Sequence, residues 1–429
     1  MESPIENCGG SYESVLGQRR LEGTVAIHGA KNSVLPILAA CICCAGICEI
    51  ENCPRIADVD TAIAILEHLG CRVVRQDHRL MVDATTVERC DIPGDLMSGM
   101  RSSILFLGAL LTRCGRAELS LPGGCALGRR PIDLHLWAAE ELGACWEGCS
   151  LSLHCTCRSM TGCCLPLRCP SVGATENAML MALGCRGVTT IENAAREPEI
   201  TDLARFLTAM GAKVVGAGTG TITVEGGRPL HGACYKVMAD RIEAATYLCA
   251  AAGCGGRVEL VGAELDALLP VTELLERSGC ILRPTEQGLL LQSDGRLHTP
   301  GPVVTRPHPG FPTDAQAPMM AALLRAAGIT EFTETIFENR LRHVEQLRRL
   351  GADIRQYGSR ALVRGVSHLH GGVLEATDLR CGAALLIGAL QAEGDSTVLG
   401  VHHIRRGYDN IAETLRAVGA RIWETDYTG

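Results

Sequence analysis

The chain has 429 residues, of which 47% are hydrophobic and 3% are aromatic, and its formal net charge is -8 at pH 7. This length predicts two or three domains, and the hydrophobic content is ample for their cores. The negative charge and the scarcity of aromatic side chains argue against nucleic-acid binding, because phosphate backbones attract cationic surfaces and bases stack on aromatic rings.

The N-terminal segment has none of the features of a signal peptide. MESPIENCGGSYESVLGQRR contains acids and polar residues but no apolar core. The longest uncharged apolar run, residues 34–48, is 15 residues long, whereas a membrane-spanning helix needs about 20. We therefore expect a buried helix at this run, a cytoplasmic protein without a membrane partner, and reduced thiols.

One pattern recurs along the chain: a stretch of helical periodicity, then glycine with alanine or cysteine, then a run typical of a strand. It occurs at HLGCRVV, ELGACWE, AMGAKVV, RSGCILR, RLGADIR and VGARIW, and the glycines are 68 to 73 residues apart. Helices such as AILEHL, LARFLTAM and VEQLRRL alternate with strands such as TVAIHG, TITVEG and ALVRGV. The pattern predicts six copies of one helix-and-strand unit in an α/β or α+β fold, with a boundary near residue 235 if each domain takes three.

The stretch LPGGCALGRRP, residues 121–131, contains the cysteine that differs most from the others. Most of the 23 cysteines are expected to be small core residues. Cys125, however, lies between a Gly-Gly pair and two arginines, and such a loop is not typical of a core. Arg129 and Arg130 favour the thiolate, so Cys125 is the candidate reactive thiol.

A zinc site is the main alternative use of cysteine in this chain. His154 lies in SLSLHCTC, and Cys163, Cys164 and Cys169 follow it. In SLSLHCTC the leucines and cysteines alternate with period two, which is typical of one buried face of a strand. Zinc sites normally contain paired C-x-x-C segments, so we expect no metal here.

Ten segments follow one another in order along nearly the whole chain: GAKNSVLPILAA, MRSSI, LPGGCALGRRPIDLH, SVGATENAM, IENAAREPEITD, ADRIEAATYL, HPGFPTDAQAP, FENR, ATDLR and HHIRRGYDNI. Together they resemble the enolpyruvyl transferases that act on UDP-N-acetylglucosamine, within the EPSP synthase family. The resemblance implies a two-domain inverse α/β barrel built from six βαβαββ repeats. Residues 1–29 and 237–429 would form the first domain, and residues 30–236, with the loop 121–131, the second.

The resemblance also implies a reaction. The enolpyruvyl group of phosphoenolpyruvate would move to the 3-hydroxyl of UDP-N-acetylglucosamine with release of phosphate, in the first committed step of peptidoglycan synthesis. Carbon C3 must gain a proton, and the sugar hydroxyl must lose one as it attacks C2. These two small molecules are the expected partners, and no metal, cofactor or obligate protein partner is implied.

The family's functional residues match positions in this chain. The implied catalytic residues are Cys125, which donates a proton and is alkylated by fosfomycin in the family, Asp314, which accepts the sugar's proton, and Lys31. The implied phosphoenolpyruvate ligands are Lys31, Arg130, Arg380 and Arg406. The implied nucleotide-sugar ligands are Asn32, Arg101, Ser171, Val172, Gly173, Asp314 and Ile336. Candidates for a supporting role are Arg101, Arg340, Glu338 and Asp378.

Several of these residues suit their implied ligands by residue type and position. Lys31 lies at the turn between a strand and an apolar helix, and the SVG of SVGATENAM opens another helix, so main-chain N–H groups can bind phosphates at both places. Guanidinium groups suit carboxylates and phosphates because they donate two parallel hydrogen bonds. Some relatives carry a lysine where this chain has Cys169, so the uridine contacts are not implied.

Helix capping is the simpler explanation for two of the polar residues. Ser33 is expected to be the N-cap of the apolar helix that follows GAKNS. Asp314 follows Pro312 at a predicted helix start, so the sequence alone leaves a capping role and a catalytic role equally open.

Two alternative functions stay open. The sister enzyme that acts on shikimate phosphate shares the fold and the reaction type, but the Lys-Asn pair of GAKNS and the cysteine loop argue against it. A catalytically silent paralogue would bind the nucleotide sugar as a regulator. The chain retains the main functional residues of the family, which argues against a silent paralogue. These residues are Lys31, Cys125, Asp314, Arg380 and Arg406.

Overall fold

The computed structural model describes residues 11–120, 132–148 and 152–426. Two compact units divide these residues: the first contains 11–28 and 239–426, and the second contains 29–120, 132–148 and 152–238. Cys125, Arg129 and Arg130 lie outside the described residues. Within the described ranges, no helix has both the length and the apolar character needed to cross a membrane.

The strands are short, and most are three to six residues long. In chain order they are β1 (Ser11–Leu16), β2 (Leu21–Ala26), β3 (Ile47–Glu51), β4 (Arg72–Gln76), β5 (Arg79–Asp83), β6 (Asp91–Ile92), β7 (Arg116–Ser120), β8 (Cys145–Gly148), β9 (Ser152–Thr156), β10 (Cys164–Pro166), β11 (Val188–Glu192), β12 (Lys213–Val215), β13 (Thr221–Glu225), β14 (Cys234–Lys236), β15 (Gly256–Val261), β16 (Ile281–Pro284), β17 (Gly288–Ser293), β18 (Val303–Val304), β19 (Ile329–Thr333), β20 (Asp353–Tyr357), β21 (Arg360–Arg364), β22 (Val373–Glu375), β23 (Asp395–Leu399) and β24 (Arg421–Asp426).

The helices alternate with these strands. In chain order they are α1 (Lys31–Ala40), α2 (Ala57–His68), α3 (Gly94–Gly99), α4 (Phe106–Cys114), α5 (Asp133–Glu141), α6 (Val172–Leu183), α7 (Pro198–Ala209), α8 (Arg241–Cys254), α9 (Leu265–Arg277), α10 (Thr313–Ala322), α11 (His343–Arg348), α12 (Leu379–Gln391), α13 (Val401–Ile404) and α14 (Ile411–Ala417). Short 3₁₀ turns cover Cys41–Cys43, Arg101–Leu105, Leu323–Arg325 and Arg340–Arg342.

Across the described residues, the strands form six four-stranded sheets that share one connectivity. For example, β10 pairs parallel with β11, and β11 continues antiparallel to β13 and then β12. In chain order this repeat reads β10, α6, β11, α7, β12, β13, and a helix supplies the crossover that a parallel pair requires. The predicted βαβαββ repeats and the α/β class are therefore confirmed.

Three of the sheets are completed by strands that are distant in sequence. In the first unit β2 pairs parallel with β15, and in the second unit β14 pairs parallel with β3. The N-terminal β1 lies between β23 and β24. The chain therefore starts in the first unit, builds the whole of the second and returns to the first.

The buried helices lie inside each unit and the sheets cover them. In α12 every residue from Arg380 to Gln391 is buried, and in α6 every residue from Ala174 to Leu183 is buried. The helices α8, α10 and α12 pack against one another. Strands such as β13 alternate between buried and accessible residues. Helices that are apolar all round belong in an interior, and alternating strands have one solvated face, so each unit is an inverse α/β barrel.

The six repeated glycines end helices as predicted, and their φ angles lie between 89 and 103°. They are Gly70, Gly143, Gly211, Gly279, Gly351 and Gly419. At Gly211 the main-chain N–H donates to the carbonyl of Thr208, and the N–H of Ala212 donates to the carbonyl of Leu207, both at 3.0 Å. This pair of bonds is the Schellman motif, which lets the chain pass from a helix directly into the next strand.

We expect Gly211→Ala to lower the free energy of unfolding by about 1–2 kcal/mol, because an L side chain is strained at this positive φ. A Cβ atom at this position would also lie 3.1 Å from the carbonyl oxygen of Pro229. Urea unfolding followed by circular dichroism measures the effect. Gly94→Ala is the matched control, since its Cβ would meet Ser120 only at ordinary contact distance, 3.5 Å. Equal midpoints for the two variants would contradict the prediction.

The apolar run at residues 34–48 is not one buried helix, so that expectation is wrong for its second half. Helix α1 ends at Ala40, a 3₁₀ turn covers Cys41–Cys43, and β3 begins at Ile47. A continuous apolar run is compatible with a buried helix or a buried strand, and periodicity alone does not separate them. Here the end of the run forms strand β3 because it pairs in parallel with β14.

The strand predicted at SLSLHCTC is β9. Leu153 and Cys155 are buried while His154 is exposed, as the period-two alternation requires. Of the cysteines that the zinc alternative needed, Cys164 and Cys169 are exposed.

Candidate functional site

In the first unit, two buried arginines hold the carboxylate of Asp314. One carboxylate oxygen lies 2.6 Å from Arg340 and the other lies 3.1 Å from Arg380. The arginine side chains are 3% and 5% exposed, whereas that of Asp314 is 27% exposed. Pro312 is the N-cap of α10 and Asp314 is its second residue. The capping interpretation of Asp314 is therefore wrong, and its carboxylate is instead the partner of two buried cations.

Helix α12 fixes the position of Arg380. Asp378 is the N-cap of this helix, and its carboxylate accepts the main-chain N–H of Arg380 at 2.9 Å. The guanidinium donates to the hydroxyl of Tyr408 at 3.1 Å, and that hydroxyl bonds to Thr246 at 2.8 Å. Burial alone would lower the pKa of Arg380, but the charge of Asp314 and the Tyr408 hydroxyl raise it above its ordinary value. Arg380 is therefore a permanent cation in a fixed orientation.

The buried carboxylate of Glu334 joins the segment of Asp314 to the segment of Ile336. One oxygen accepts the hydroxyl of Thr313 at 2.9 Å. The other accepts the main-chain N–H groups of Ile336 at 2.7 Å and Phe337 at 3.1 Å. Ile336 itself is 38% exposed. Glu334 thus fixes the spacing between two residues that the sequence assigned to the same ligand.

The remaining candidates of the first unit differ in exposure. Arg340 is buried and also donates to the carbonyl of Thr313 at 3.4 Å. Its supporting role therefore consists of contacts with Asp314 and with the residue before it. Glu338 is exposed. Arg406 follows α13 and is half-buried. The pKa of His403 is lowered by burial, by His402 and by the positive charge of Arg406.

In the second unit, Lys31 is the first residue of α1, whereas the sequence predicted it in the turn before that helix. Its ammonium lies 2.6 Å from the carboxylate of Asp58, and their side chains are 12% and 3% exposed. Asn32 follows Lys31 and is half-exposed. Ala30 occupies the N-cap position, where its methyl side chain cannot cap the helix. The start of α1 therefore presents main-chain N–H groups and one oriented cation, which together suit a phosphate.

Ser33 is not the N-cap of α1, so that prediction is wrong. It is the third residue of the helix and is buried, and its hydroxyl donates to the carboxylate of Asp202. The same carboxylate accepts the hydroxyl of Tyr235 at 2.6 Å and the main-chain N–H of Met238 at 3.2 Å. The start of α1 is thus fixed to α7 through a buried acid, a contact that local sequence does not reveal.

The helix predicted at SVGATENAM is α6, and Ser171 is its N-cap. The hydroxyl of Ser171 accepts the main-chain N–H of Ala174 at 3.4 Å. Val172 and Gly173 form the first turn, which contains no acidic residue. A Cβ at Gly173 would lie 3.2 Å from the ring of His135. The imidazole therefore lies directly behind this turn, and a Cβ at position 173 would require the ring to shift by a few tenths of an ångström.

Sequence reasoning missed His135, although it lies in the segment LPGGCALGRRPIDLH. The Asn177 amide donates to the carbonyl of Ile104 at 2.9 Å and accepts the N–H of Gly108 at 2.8 Å. This orientation makes its nitrogen the donor to Nδ1 of His135, 2.8 Å away, which assigns the ring proton to Nε2. Burial lowers the pKa of His135 to about 4, so the ring is neutral and its N–H lies near Gly173.

Two arginines lie close to the same region of the second unit. Arg101 begins a 3₁₀ turn, and its charge adds to the burial that lowers the pKa of His135. Arg168 forms an ion pair with Asp133 at 2.5 Å. Cys169 is exposed beside it. The start of α6 therefore has cationic neighbours.

Comparison with known proteins identifies relatives along almost the whole chain. Residues 15–415 match the family described as EPSP synthase (3-phosphoshikimate 1-carboxyvinyltransferase). A protein of Caldanaerobacter subterraneus named UDP-N-acetylglucosamine 1-carboxyvinyltransferase 2 is 47% identical over 406 residues, which are 95% of this chain and 97% of the relative. A protein of Granulibacter bethesdensis named UDP-N-acetylglucosamine 1-carboxyvinyltransferase is 44% identical over 412 residues, which are 95% of this chain and 98% of the relative.

Solved structures show the same architecture. The enolpyruvyl transferase NikO from Streptomyces tendae aligns with a TM-score of 0.88 at 28% identity and covers 98% of this chain and 100% of its own. An EPSP synthase from Acinetobacter baumannii aligns with a TM-score of 0.73 at 17% identity, over 97% and 100% of the two chains, and supports the fold alone. The predicted inverse α/β barrel is therefore confirmed by solved relatives.

Proposed function

The chain belongs to the EPSP synthase family and is a carboxyvinyl transferase, and we propose that it transfers the enolpyruvyl group of phosphoenolpyruvate to the 3-hydroxyl of UDP-N-acetylglucosamine. Phosphate is the second product. The single observation that carries this proposal is Asp314, a partly exposed carboxylate held by two buried guanidinium groups. Such a group combines a proton acceptor with cations for an anionic substrate. The names of the relatives support the choice of acceptor.

In this proposal, the ligands of the carboxylate and phosphate of phosphoenolpyruvate are those that the family resemblance implies: Lys31, Arg130, Arg380 and Arg406. Arg380 already bonds to Asp314 at 3.1 Å. A substrate anion that takes a hydrogen bond from Arg380 competes with Asp314 for the same guanidinium. Because a carboxylate with fewer cationic partners is a stronger base, substrate binding makes Asp314 a better acceptor for the sugar's proton.

The acceptor substrate carries a diphosphate, and the start of α6 suits it. Ser171, Val172 and Gly173 present main-chain N–H groups at the positive end of a buried helix. Arg101 and the neutral His135 add further donors. Asn32 and Ile336 are proposed to contact the sugar and the same ligand, as the family resemblance implies.

Proton transfer needs a donor as well as an acceptor. We assign the donor to Cys125, which protonates C3 of phosphoenolpyruvate while Asp314 takes the proton of the 3-hydroxyl. The tetrahedral adduct then expels phosphate, and C3 loses a proton again as the enol ether forms. We further propose that the protein acts in peptidoglycan synthesis in the cytoplasm, and that Cys125 makes it a target of fosfomycin.

One phosphate-release assay with two acceptors tests the proposal. We expect phosphate from phosphoenolpyruvate with UDP-N-acetylglucosamine, and no phosphate with shikimate-3-phosphate. Release with shikimate-3-phosphate alone would assign the sister activity. Calorimetric binding of the nucleotide sugar without any release would identify the silent paralogue.

We expect Glu334→Gln to raise the KM for UDP-N-acetylglucosamine several-fold with little change in kcat. The glutamine amide has one acceptor oxygen, so it cannot accept hydrogen bonds from Thr313 and from Ile336 on two separate oxygens. The distance between these two residues is then less tightly fixed. Steady-state kinetics measures both constants. Glu345→Gln is the control, because that residue is exposed on α11. A fall in kcat at unchanged KM would contradict this positioning role.

A further inference from the structure

Three hydrogen bonds link Arg380 to the first turn of helix α8 in the first unit. The guanidinium donates from Nη1 to the hydroxyl of Tyr408 at 3.1 Å. The Tyr408 hydroxyl lies 2.8 Å from that of Thr246, and the Thr246 hydroxyl donates to the carbonyl of Ile242 at 2.9 Å. Arg380, Tyr408 and Thr246, here called the Tyr408 relay, are all buried, so their hydrogen bonds are shielded from bulk water.

The direction of each hydrogen bond follows from the number of protons available. Thr246 has a single hydroxyl proton, and the carbonyl of Ile242 takes it. The proton of Tyr408 therefore points to the oxygen of Thr246, which leaves a lone pair of the Tyr408 oxygen for Arg380. Ile242 is itself fixed, because the N-cap Asp240 accepts its main-chain N–H at 2.7 Å. The start of α8 thus holds Tyr408 as an acceptor for Arg380.

The two terminal nitrogens of the Arg380 guanidinium have different partners. Nη1 bonds to Tyr408, whereas Nη2 bonds to one oxygen of Asp314 at 3.1 Å. The other oxygen of Asp314 pairs with Arg340. Arginine often binds a carboxylate through two parallel hydrogen bonds, and here Tyr408 takes the nitrogen that the second bond would need. The Tyr408 ring also lies against the cation, with Cζ of Arg380 5.6 Å from the ring centroid.

We propose that Tyr408 is a positioning residue for the transfer reaction, because its hydroxyl, held by Thr246, keeps Arg380 from closing onto Asp314 with two hydrogen bonds. Arg380 can then donate to a substrate anion, and Asp314 stays weakly enough paired to accept a proton. This inference rests on the proposed function, in which Arg380 binds phosphoenolpyruvate and Asp314 is the base. Neither Tyr408 nor Thr246 is among the candidate site residues.

Steady-state kinetics of Tyr408→Phe tests this role, because phenylalanine keeps the ring and removes only the hydroxyl. We expect the KM for phosphoenolpyruvate to rise about tenfold, the usual scale for one hydrogen bond to a charged group. We also expect kcat to fall several-fold, since Asp314 becomes a weaker base when Arg380 binds it more closely. The affinity for UDP-N-acetylglucosamine, measured by calorimetry, should change less than this KM.

Substitutions of Thr246 test whether the hydroxyls act together. Thr246→Val should raise the same KM, because Tyr408 loses its acceptor, whereas Thr246→Ser, which keeps the hydroxyl, should retain the wild-type constants. Thr272→Val is the matched control, because Thr272 is a buried residue of α9 whose hydroxyl also donates to a carbonyl of its own helix. We expect wild-type kinetics from this control.

The double variant Tyr408→Phe/Thr246→Val separates a relay from two independent packing contacts. Since either substitution alone breaks the relay, we expect the double variant to have the KM of Tyr408→Phe and not the product of the two single effects. The urea-unfolding midpoints of the wild type, the two single variants and the double variant should show the same non-additivity. Because unfolding needs no substrate, this measurement tests the relay independently of activity.

Three results would overturn the inference and leave the transferase function intact. They are an unchanged KM for phosphoenolpyruvate in Tyr408→Phe, additive effects in the double variant, and an equal effect of Thr272→Val. A folded wild type that releases no phosphate would instead overturn the proposed function, and the role of Tyr408 with it. Far-ultraviolet circular dichroism shows whether each variant is folded. If Thr246→Val does not fold, Tyr408→Phe and Thr246→Ser still decide the outcome.

Discussion

We expect Asp314→Asn to abolish phosphate release and to leave the affinity for UDP-N-acetylglucosamine within about tenfold, or about 1.4 kcal/mol, of the wild-type value. The amide keeps the shape of the carboxylate but cannot accept the sugar's proton. It also retains one oxygen as an acceptor for Arg340 or Arg380, which are both buried. Isothermal calorimetry beside the phosphate-release assay measures binding and turnover separately.

The matched control for this prediction is Asp353→Asn. Asp353 belongs to the same unit and pairs with Arg364 at 3.5 Å on a strand surface, so we expect wild-type turnover from it. A thermal melt of Asp314→Asn shows whether the two buried arginines tolerate the weaker partner. If Asp314→Asn turns over near the wild-type rate, the carboxylate is only a structural partner of the arginines.

Substitutions at Cys125 have the second large expected effect. We expect Cys125→Asp to keep measurable turnover with a lower pH optimum, since an unperturbed carboxyl has a pKa of about 3.9 and a thiol one of about 8.5. We expect Cys125→Ser to be far less active, because a hydroxyl is too weak an acid to protonate C3. Fosfomycin should alkylate the wild type but not the Asp variant. The pH profiles of the three proteins and their intact masses after fosfomycin treatment test these statements.

Cys164→Ser is the control for the cysteine series, because Cys164 is an exposed thiol and its loss should leave turnover and fosfomycin alkylation unchanged. Equal activity of Cys125→Ser and the wild type would remove Cys125 from the mechanism. That outcome would leave the assignment of Asp314 intact, because Asp314 is proposed to accept the proton of the sugar hydroxyl, whereas Cys125 is proposed to donate a proton to C3.

The repeats, the fold class and the starts of several helices could be predicted from the sequence, since each depends on residues close together in the chain. Gly211 shows why: its positive φ and the two hydrogen bonds that end α7 lie within residues 207–212, and glycine is the residue that adopts this conformation at little cost. In the same way, the SVG segment was correctly expected at the start of α6.

Capping was mispredicted where a polar residue near a helix start has a distant partner. Ser33 bonds to Asp202, 169 residues away, and Asp314 bonds to Arg380, 66 residues away. Any serine or aspartate near a helix start has the residue type of a cap. The packing of the folded chain determines where the helix begins. The side chain then forms a hydrogen bond or ion pair with the partner that this packing brings close.

The sequence by itself determined the number of repeats, the helix-ending glycines and the residue types of the candidate site. Only the tertiary structure decided the partners: Asp58 for Lys31, Arg340 and Arg380 for Asp314, and His135 for Gly173. The physical reason is that backbone preferences act over a few residues, whereas ion pairs and buried hydrogen bonds depend on the positions of whole elements. Residues that are far apart in the chain meet only after the sheets and inner helices have packed.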